Sequence, residues 1–120
     1  MKECLIVEDE PALRQAYGDA MRDLGFDVVE ASTRTQAFYF LKTHVFALIL
    51  LDLALPDGTT LDLADYVQMR NDPTLIVVIT GSHLYPNGEM AQLAPRIDFA
   101  LRKPVNLADL AAIAQRALEV

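Results

Sequence analysis

Three carboxylates, one hydroxyl and one ammonium group stand at the ends of short apolar runs in this sequence. Glu8 and Asp9 follow the first run, and Asp52 ends a later one. Thr80 and Lys103 follow the last two runs in the same way. Ligands of open parallel sheets bind beyond the carboxyl ends of the strands, which all lie at one edge. We therefore expect these five side chains to form one site.

The residue types at this edge suit phosphoryl chemistry assisted by a divalent cation. Neighbouring carboxylates raise one another's pKa unless a cation offsets their repulsion. Mg²⁺ suits such a cluster because it binds one or two carboxylates together with water and phosphate oxygens. Asp52 could act as a nucleophile toward phosphorus and form an acyl phosphate. Lys103 and Thr80 would then stabilise the negative charge on the transferring group.

Each of these residues also has a structural explanation when it is taken alone. Asp52 precedes a turn-forming segment, where an aspartate often caps the turn. Glu8 and Asp9 precede a predicted helix, whose N-terminus favours acidic residues whatever their function. Thr80 and the following Gly81 suit a turn, and a single lysine at a strand end is usually solvated. The hypothesis of a site therefore rests on the position of all five at one edge.

Strand-like and helix-like segments alternate along the chain. The apolar runs are typical of buried parallel strands, and they are Cys4–Val7, Val28–Glu30, Leu48–Leu51, Leu75–Ile79 and Phe99–Leu101. Segments with helical spacing follow each run, at residues 11–24, about 35–42, about 61–70, about 88–94 and 107–118. The order βαβαβαβαβα predicts an α/β fold, a doubly wound five-stranded parallel sheet with helices on both faces.

Residues at the predicted helix ends support these boundaries. Pro11 suits the first turn of the first helix, and Gly25 suits the position just after its end. Asn106 is a good N-cap for the last helix. Pro95 should stop the short helix before it.

Length, composition and charge restrict the class of protein. The chain has 120 residues, 52% of them hydrophobic, which predicts one domain over residues 1–120. The longest apolar run, Val45 to Leu51, is too short to span a bilayer. The single Cys4 and the acidic residues near Met1 predict a cytoplasmic protein without a secretory signal. The net charge of −7 argues against direct binding of nucleic acid.

Four segments together resemble the receiver domains of two-component response regulators. They run from Leu5 to Pro11, from Leu50 to Gly58, from Val77 to Gly81 and from Leu101 to Pro104. They occur in the family's order, each closes a predicted strand, and the resemblance covers essentially the whole chain. The resemblance implies a flavodoxin-like (βα)5 fold and a role as a phosphorelay receiver in signal transduction.

The resemblance also implies a role for each residue of the site. Asp52 would accept a phosphoryl group from a histidine kinase or a phosphotransfer protein. The implied Mg²⁺ ligands are Glu8, Asp9, Asp52 and the backbone carbonyl of Ala54. Lys103 would contact the phosphoryl group, and a cis Lys103–Pro104 bond would fix the direction of its side chain. Thr80 would turn its hydroxyl toward the phosphoryl group. The resulting change of shape would control a downstream effector domain or protein, and a homodimer through the last two helices is common in the family.

Two positions differ from the usual pattern of the family. Thr60 replaces the glycine commonly found eight residues after the acceptor, so we expect Gly58 to provide the flexibility of that loop. Ala100 replaces the aromatic residue that usually rotates as the hydroxyl moves. The neighbouring Phe99 cannot substitute for it, because successive strand residues face opposite sides. We therefore expect signalling through the loop after Thr80 and the short helix that follows.

Two other functions compete with the receiver hypothesis. Asp57-Gly58-Thr59 is similar to a fragment of haloacid-dehalogenase phosphatases, which also use an aspartate nucleophile and Mg²⁺. Those enzymes need a second aspartate two residues after the first, where this chain has Ala54, so we expect no enzyme acting on another substrate. A receiver would catalyse only its own phosphorylation and dephosphorylation. The alternative is a receiver-like interaction module that works without phosphate, which the changes at Thr60 and Ala100 would permit.

Overall fold

The computed structural model describes residues 1–81 and 97–119. These residues contain seven strands and four helices. The strands are β1 (Glu3–Val7), β2 (Asp27–Ala31), β3 (Leu48–Asp52), β4 (Ala54–Leu55), β5 (Gly58–Thr59), β6 (Leu75–Thr80) and β7 (Phe99–Arg102). The helices are α1 (Pro11–Leu24), α2 (Arg34–Thr43), α3 (Leu61–Met69) and α4 (Leu107–Leu118). The short helix predicted at about 88–94, before Pro95, lies outside the described residues.

The five longer strands form one parallel sheet in the order β2-β1-β3-β6-β7. The chain passes from β1 to β2 on one side and then crosses to β3 on the other side of β1. The strand order therefore reverses between β1 and β3, and the carboxyl edge there is the expected place for a ligand. This confirms the predicted doubly wound α/β fold, to which the structure adds a short antiparallel hairpin of β4 and β5.

Two apolar clusters cover the two faces of the sheet. Leu5 and Leu51 point into the cluster beneath α2 and α3, whereas Ile6 and Leu50 point into the cluster beneath α1 and α4. Alternate residues of each strand supply the two clusters because successive side chains of a strand point to opposite faces. All five residues of β3 are buried, so this central strand holds its last residue in a fixed position.

The helix ends agree with the sequence-based prediction. Pro11 begins α1, and Gly25 ends it with φ of 104°, in the left-handed region that favours glycine. Asn106 caps α4, because its Oδ1 accepts hydrogen bonds from the backbone N–H groups of Ala108 and Asp109 at 2.9 and 3.1 Å. Among the residues that the structure describes, none of the helices combines the length and the hydrophobicity needed to cross a bilayer.

Candidate functional site

The carboxyl edge of the sheet brings four of the five expected side chains together. One carboxylate oxygen from each of Glu8, Asp9 and Asp52 lies within 4.8 Å of the others. Lys103 Nζ lies 3.1 Å from Glu8 Oε1 and 3.2 Å from Asp52 Oδ2. The fifth group, the Thr80 hydroxyl, is buried at the end of β6.

The strand ends determine this convergence. Glu8 directly follows β1, Asp52 is the last residue of the neighbouring β3, and the ladder between these strands ends at Val7 and Leu51. Lys103 directly follows β7, and its backbone N–H donates to the Thr80 carbonyl oxygen at 2.9 Å. The Lys103–Pro104 bond is cis, as the resemblance implies.

Burial and mutual repulsion set the charge of the site. Glu8 is 1% exposed and Asp52 is 5% exposed, whereas Asp9 is exposed. The pKa of Glu8 is raised to about 7, with burial as the largest cause and the neighbouring Asp52 as the second. Burial alone would lower the pKa of Lys103, but its contacts with Glu8 and Asp52 outweigh burial and raise it. The cluster thus holds three carboxyl groups and one ammonium group, which contacts two of them, and this leaves a surplus of negative charge.

A divalent cation with oxygen ligands fits this surplus. Glu8 Oε1 is buried and forms an ion pair with Lys103, but it accepts no well-aligned hydrogen bond from the described residues. The Ala54 backbone lies beside the cluster, because its N–H donates to Asp52 Oδ1 at 3.2 Å. Carboxylate and carbonyl oxygens are the ligands that Mg²⁺ prefers. The three carboxylates therefore have the chemistry and the proximity that suit Mg²⁺, and the Ala54 backbone adjoins them.

The Thr80 hydroxyl does not point at the acceptor in this structure. Its Oγ1 donates to the Gly81 carbonyl oxygen at 3.2 Å. On the next strand Phe99 packs into the cluster beneath α1 and α4, while Ala100 is exposed. Phe99 and Ala100 therefore face opposite sides, as their adjacent positions predict.

Thr60 closes the loop between β3 and α3 in a way that the sequence did not reveal. Thr60 is fully buried, and its Oγ1 donates to the Asp52 carbonyl oxygen at 2.6 Å. Its backbone N–H donates to the Leu53 carbonyl oxygen at 3.3 Å. Gly58 begins β5 directly after the turn of the hairpin, with φ of 133°, in a region that favours glycine. That Gly58 gives the loop its flexibility stays a prediction.

Asp57 ties the same loop to helix α2. Its carboxylate accepts hydrogen bonds from the backbone N–H of Arg34 at 3.0 Å and of Thr35 at 3.3 Å. These bonds lower the pKa of Asp57, with the bond from Arg34 as the largest cause. The Asp-Gly pair in the sequence indicates a turn. The contact of Asp57 with Thr35, 22 residues away in the chain, is visible only in the fold.

The fold and the site together define a class, that of the receiver domains. The doubly wound sheet places an aspartate at the end of its central strand, facing an acidic pair and a lysine. Residues 4–115 match the family model described as the response regulator receiver domain. The chain belongs to this family.

Individual relatives agree with this assignment. The chain is 34% identical over 119 residues to the response regulator protein PilR of Pseudomonas aeruginosa, in an alignment that covers 99% of this chain and 26% of PilR. The chain thus spans about a quarter of that relative's length.

Two solved structures are similar to the chain along almost its whole length. The signal receiver domain of a LuxO repressor protein from Vibrio parahaemolyticus has a TM-score of 0.87 and 26% identity, covering 98% of this chain and 90% of that one. A CheY-like receiver domain from Methylobacillus flagellatus has a TM-score of 0.78 and 28% identity, covering 98% of both chains. Family and structural neighbours support a role as a phosphorelay receiver in a two-component system.

Proposed function

We propose that residues 1–120 form one receiver unit in which Asp52 accepts a phosphoryl group and the altered site changes the conformation of the chain. One observation carries this proposal. Asp52, buried at the end of β3, lies within 4.8 Å of the Glu8 and Asp9 carboxylates and 3.2 Å from the Lys103 ammonium group. A nucleophile, an acidic pair and a cation thus surround one point at the edge of the sheet.

The reaction is an in-line transfer to one carboxylate oxygen. An Asp52 oxygen attacks phosphorus, the new O–P bond forms, and the bond from phosphorus to the donor breaks. With a phosphohistidine donor, the electron pair of the broken P–N bond returns to the imidazole nitrogen. The product is an acyl phosphate on Asp52, and attack by water on phosphorus later breaks the O–P bond, releases inorganic phosphate and restores the free carboxylate.

The other side chains offset the charge that this transfer brings to the site. Lys103 already faces Asp52 Oδ2, so its ammonium group can pair with a phosphoryl oxygen once the transfer has occurred. The Thr80 hydroxyl would exchange the Gly81 carbonyl for a phosphoryl oxygen. Glu8, Asp9, Asp52 and the Ala54 carbonyl would hold Mg²⁺. When bound, Mg²⁺ would neutralise negative charge on the phosphoryl oxygens.

The proposal extends to the partners of the chain. The donor would be a histidine kinase or a phosphotransfer protein, and the recipient of the signal would be an effector domain or protein. The receiver would act on its own acyl phosphate and on no other substrate. We place the chain in the cytoplasm, without direct nucleic-acid or membrane contacts, in keeping with its charge of −7. A homodimer through the last helices stays a prediction.

Intact mass after incubation with Mg²⁺ and acetyl phosphate tests the acceptor directly. We expect the wild-type chain to gain the mass of one phosphoryl group and to lose this gain when EDTA is added first. Asp52→Asn should show no gain. Asp57→Asn is the matched control, because it changes another aspartate of the same loop and should keep the gain. A wild-type chain that stays unmodified would favour the phosphate-independent interaction module instead.

A further inference from the structure

The acceptor residue has a backbone contact that does not come from the sheet. On the β1 side the ladder of β3 ends at Val7 and Leu51, one residue before Asp52, while on the other side Asp52 still pairs with Ile79 of β6. The Asp52 carbonyl oxygen instead accepts a hydrogen bond from Thr60 Oγ1 at 2.6 Å, in a fully buried position. A side chain eight residues away thus holds the peptide group of the acceptor.

The same threonine also holds the loop that carries Ala54. The Thr60 N–H donates to the Leu53 carbonyl oxygen at 3.3 Å, so the hairpin of β4 and β5 is closed at its base. Within that closed loop the Ala54 N–H donates to Asp52 Oδ1 at 3.2 Å. Thr60 therefore restrains both the backbone of the acceptor and a hydrogen bond to its carboxylate.

We propose that Thr60 is a positioning residue that orients the Asp52 carboxylate for phosphoryl transfer. This inference rests on the proposed function, since it concerns the same acceptor. Thr60 Oγ1 contacts the Asp52 carbonyl oxygen and acts on the carboxylate only through the backbone and Ala54. A buried carbonyl that loses its donor keeps the cost of desolvation, so the local peptide shifts to find another partner. A shift of that kind would misalign the attacking oxygen.

The variant Thr60→Val removes the hydroxyl while keeping a β-branched side chain of similar size. Thr60→Ser keeps a hydroxyl and should restore the wild-type behaviour. The matched control is Thr74→Val, because Thr74 Oγ1 also donates to a backbone carbonyl oxygen, that of Phe46, at 2.7 Å. Thr74 precedes β6 at the opposite edge of the sheet, so its variant measures the cost of a lost hydroxyl contact without touching the site.

The first measurement is the rate of phosphoryl uptake from acetyl phosphate at saturating Mg²⁺. We expect Thr60→Val to react about fivefold more slowly than the wild type, because the displaced carboxylate oxygen less often reaches the aligned geometry for attack. Thr60→Ser should stay within about twofold of the wild type, and Thr74→Val should react at the wild-type rate. Both valine variants should lower Tm, and Thr60→Val should lower it by at least as much as Thr74→Val, because the Thr60 contact is fully buried. Equal rates for the two valine variants, or a serine variant as slow as Thr60→Val, would overturn the inference.

The second measurement needs no phosphoryl group. Amide hydrogen exchange at Ala54 should be faster in Thr60→Val than in Thr74→Val, and Thr60→Ser should match the wild type. Unchanged exchange at Ala54 would also overturn the inference, even if no variant takes up phosphate. Failure of the wild type to react contradicts the proposed function and leaves this exchange test in force. Should Thr60→Val not fold, Thr60→Ala removes the same hydroxyl and takes its place in both measurements.

Discussion

Replacing Glu8 by glutamine tests the electrostatic account of the site. Glu8 is 1% exposed, and burial beside Asp52 raises its pKa from 4.5 to about 7. A folded-state pKa above the unfolded value means that the folded chain binds the proton more tightly. Stability is therefore lost as the pH rises from 4.5 to about 7, and the full loss remains above that range.

The size of this stability loss follows from the difference between the unfolded-state and folded-state pKa values of Glu8. One pH unit corresponds to about 1.4 kcal/mol, so the shift amounts to roughly 3 kcal/mol in the metal-free protein. Glutamine is uncharged at every pH and resembles the protonated form of Glu8. We expect Glu8→Gln to match the wild type in free energy of unfolding below pH 4.5 and to exceed it by roughly 2–3 kcal/mol well above pH 7.

Urea denaturation in EDTA, followed by circular dichroism across this pH range, measures the difference. Asp23→Asn is the control, because it removes one negative charge from an exposed position on α1. Its stability relative to the wild type should change little over the same range. Mg²⁺ should then stabilise the wild type more than Glu8→Gln, because the variant has lost a ligand. A constant difference between Glu8→Gln and wild type at all pH values would refute this reasoning.

Three further substitutions test other parts of the account. Thr80→Ala should take up phosphate from acetyl phosphate within about threefold of the wild-type rate, since its hydroxyl contacts Gly81 before transfer; a loss of about 100-fold would contradict this. Asp57→Ala should lower Tm at neutral pH, because a carboxylate whose pKa is lowered in the folded state stabilises the fold at pH values above its unfolded-state pKa. The difference in Tm between variant and wild type should vanish in acid, where wild-type Asp57 is protonated. A difference in Tm that does not depend on pH would contradict this. Leu50→Ala should cost about 2–5 kcal/mol in urea denaturation, because Leu50 is 1% exposed on the central strand; a cost below about 1 kcal/mol would contradict the packing.

The strands and the position of the site could be predicted because each depends on local patterns. The buried run Leu48–Leu51, directly before Asp52, contains no polar residue, and the carboxyl ends of parallel strands share one edge. Pro11 and Gly25 define the ends of α1 through backbone preferences that act within one turn. These features need no knowledge of distant contacts.

The loop contacts could not be predicted because they depend on how the chain closes. A threonine before a helix usually caps it, but Thr60 makes no side-chain cap and directs its hydroxyl to Asp52. Asp57 stands in a sequence typical of a turn, but its contact with the N-terminus of α2 joins residues far apart in the chain, which a local pattern does not specify. The direction of the Thr80 hydroxyl depends on a single side-chain torsion, which the sequence does not specify.

A crystal structure of the chain with Mg²⁺ and beryllofluoride, an analogue of the phosphoryl group, tests the central claim most directly. The account predicts beryllium bonded to a carboxylate oxygen of Asp52, with the cation held by oxygens of Glu8, Asp9, Asp52 and Ala54. Lys103 should contact the beryllofluoride. An adduct on any other residue, or a cation bound away from Glu8 and Asp9, would contradict the account.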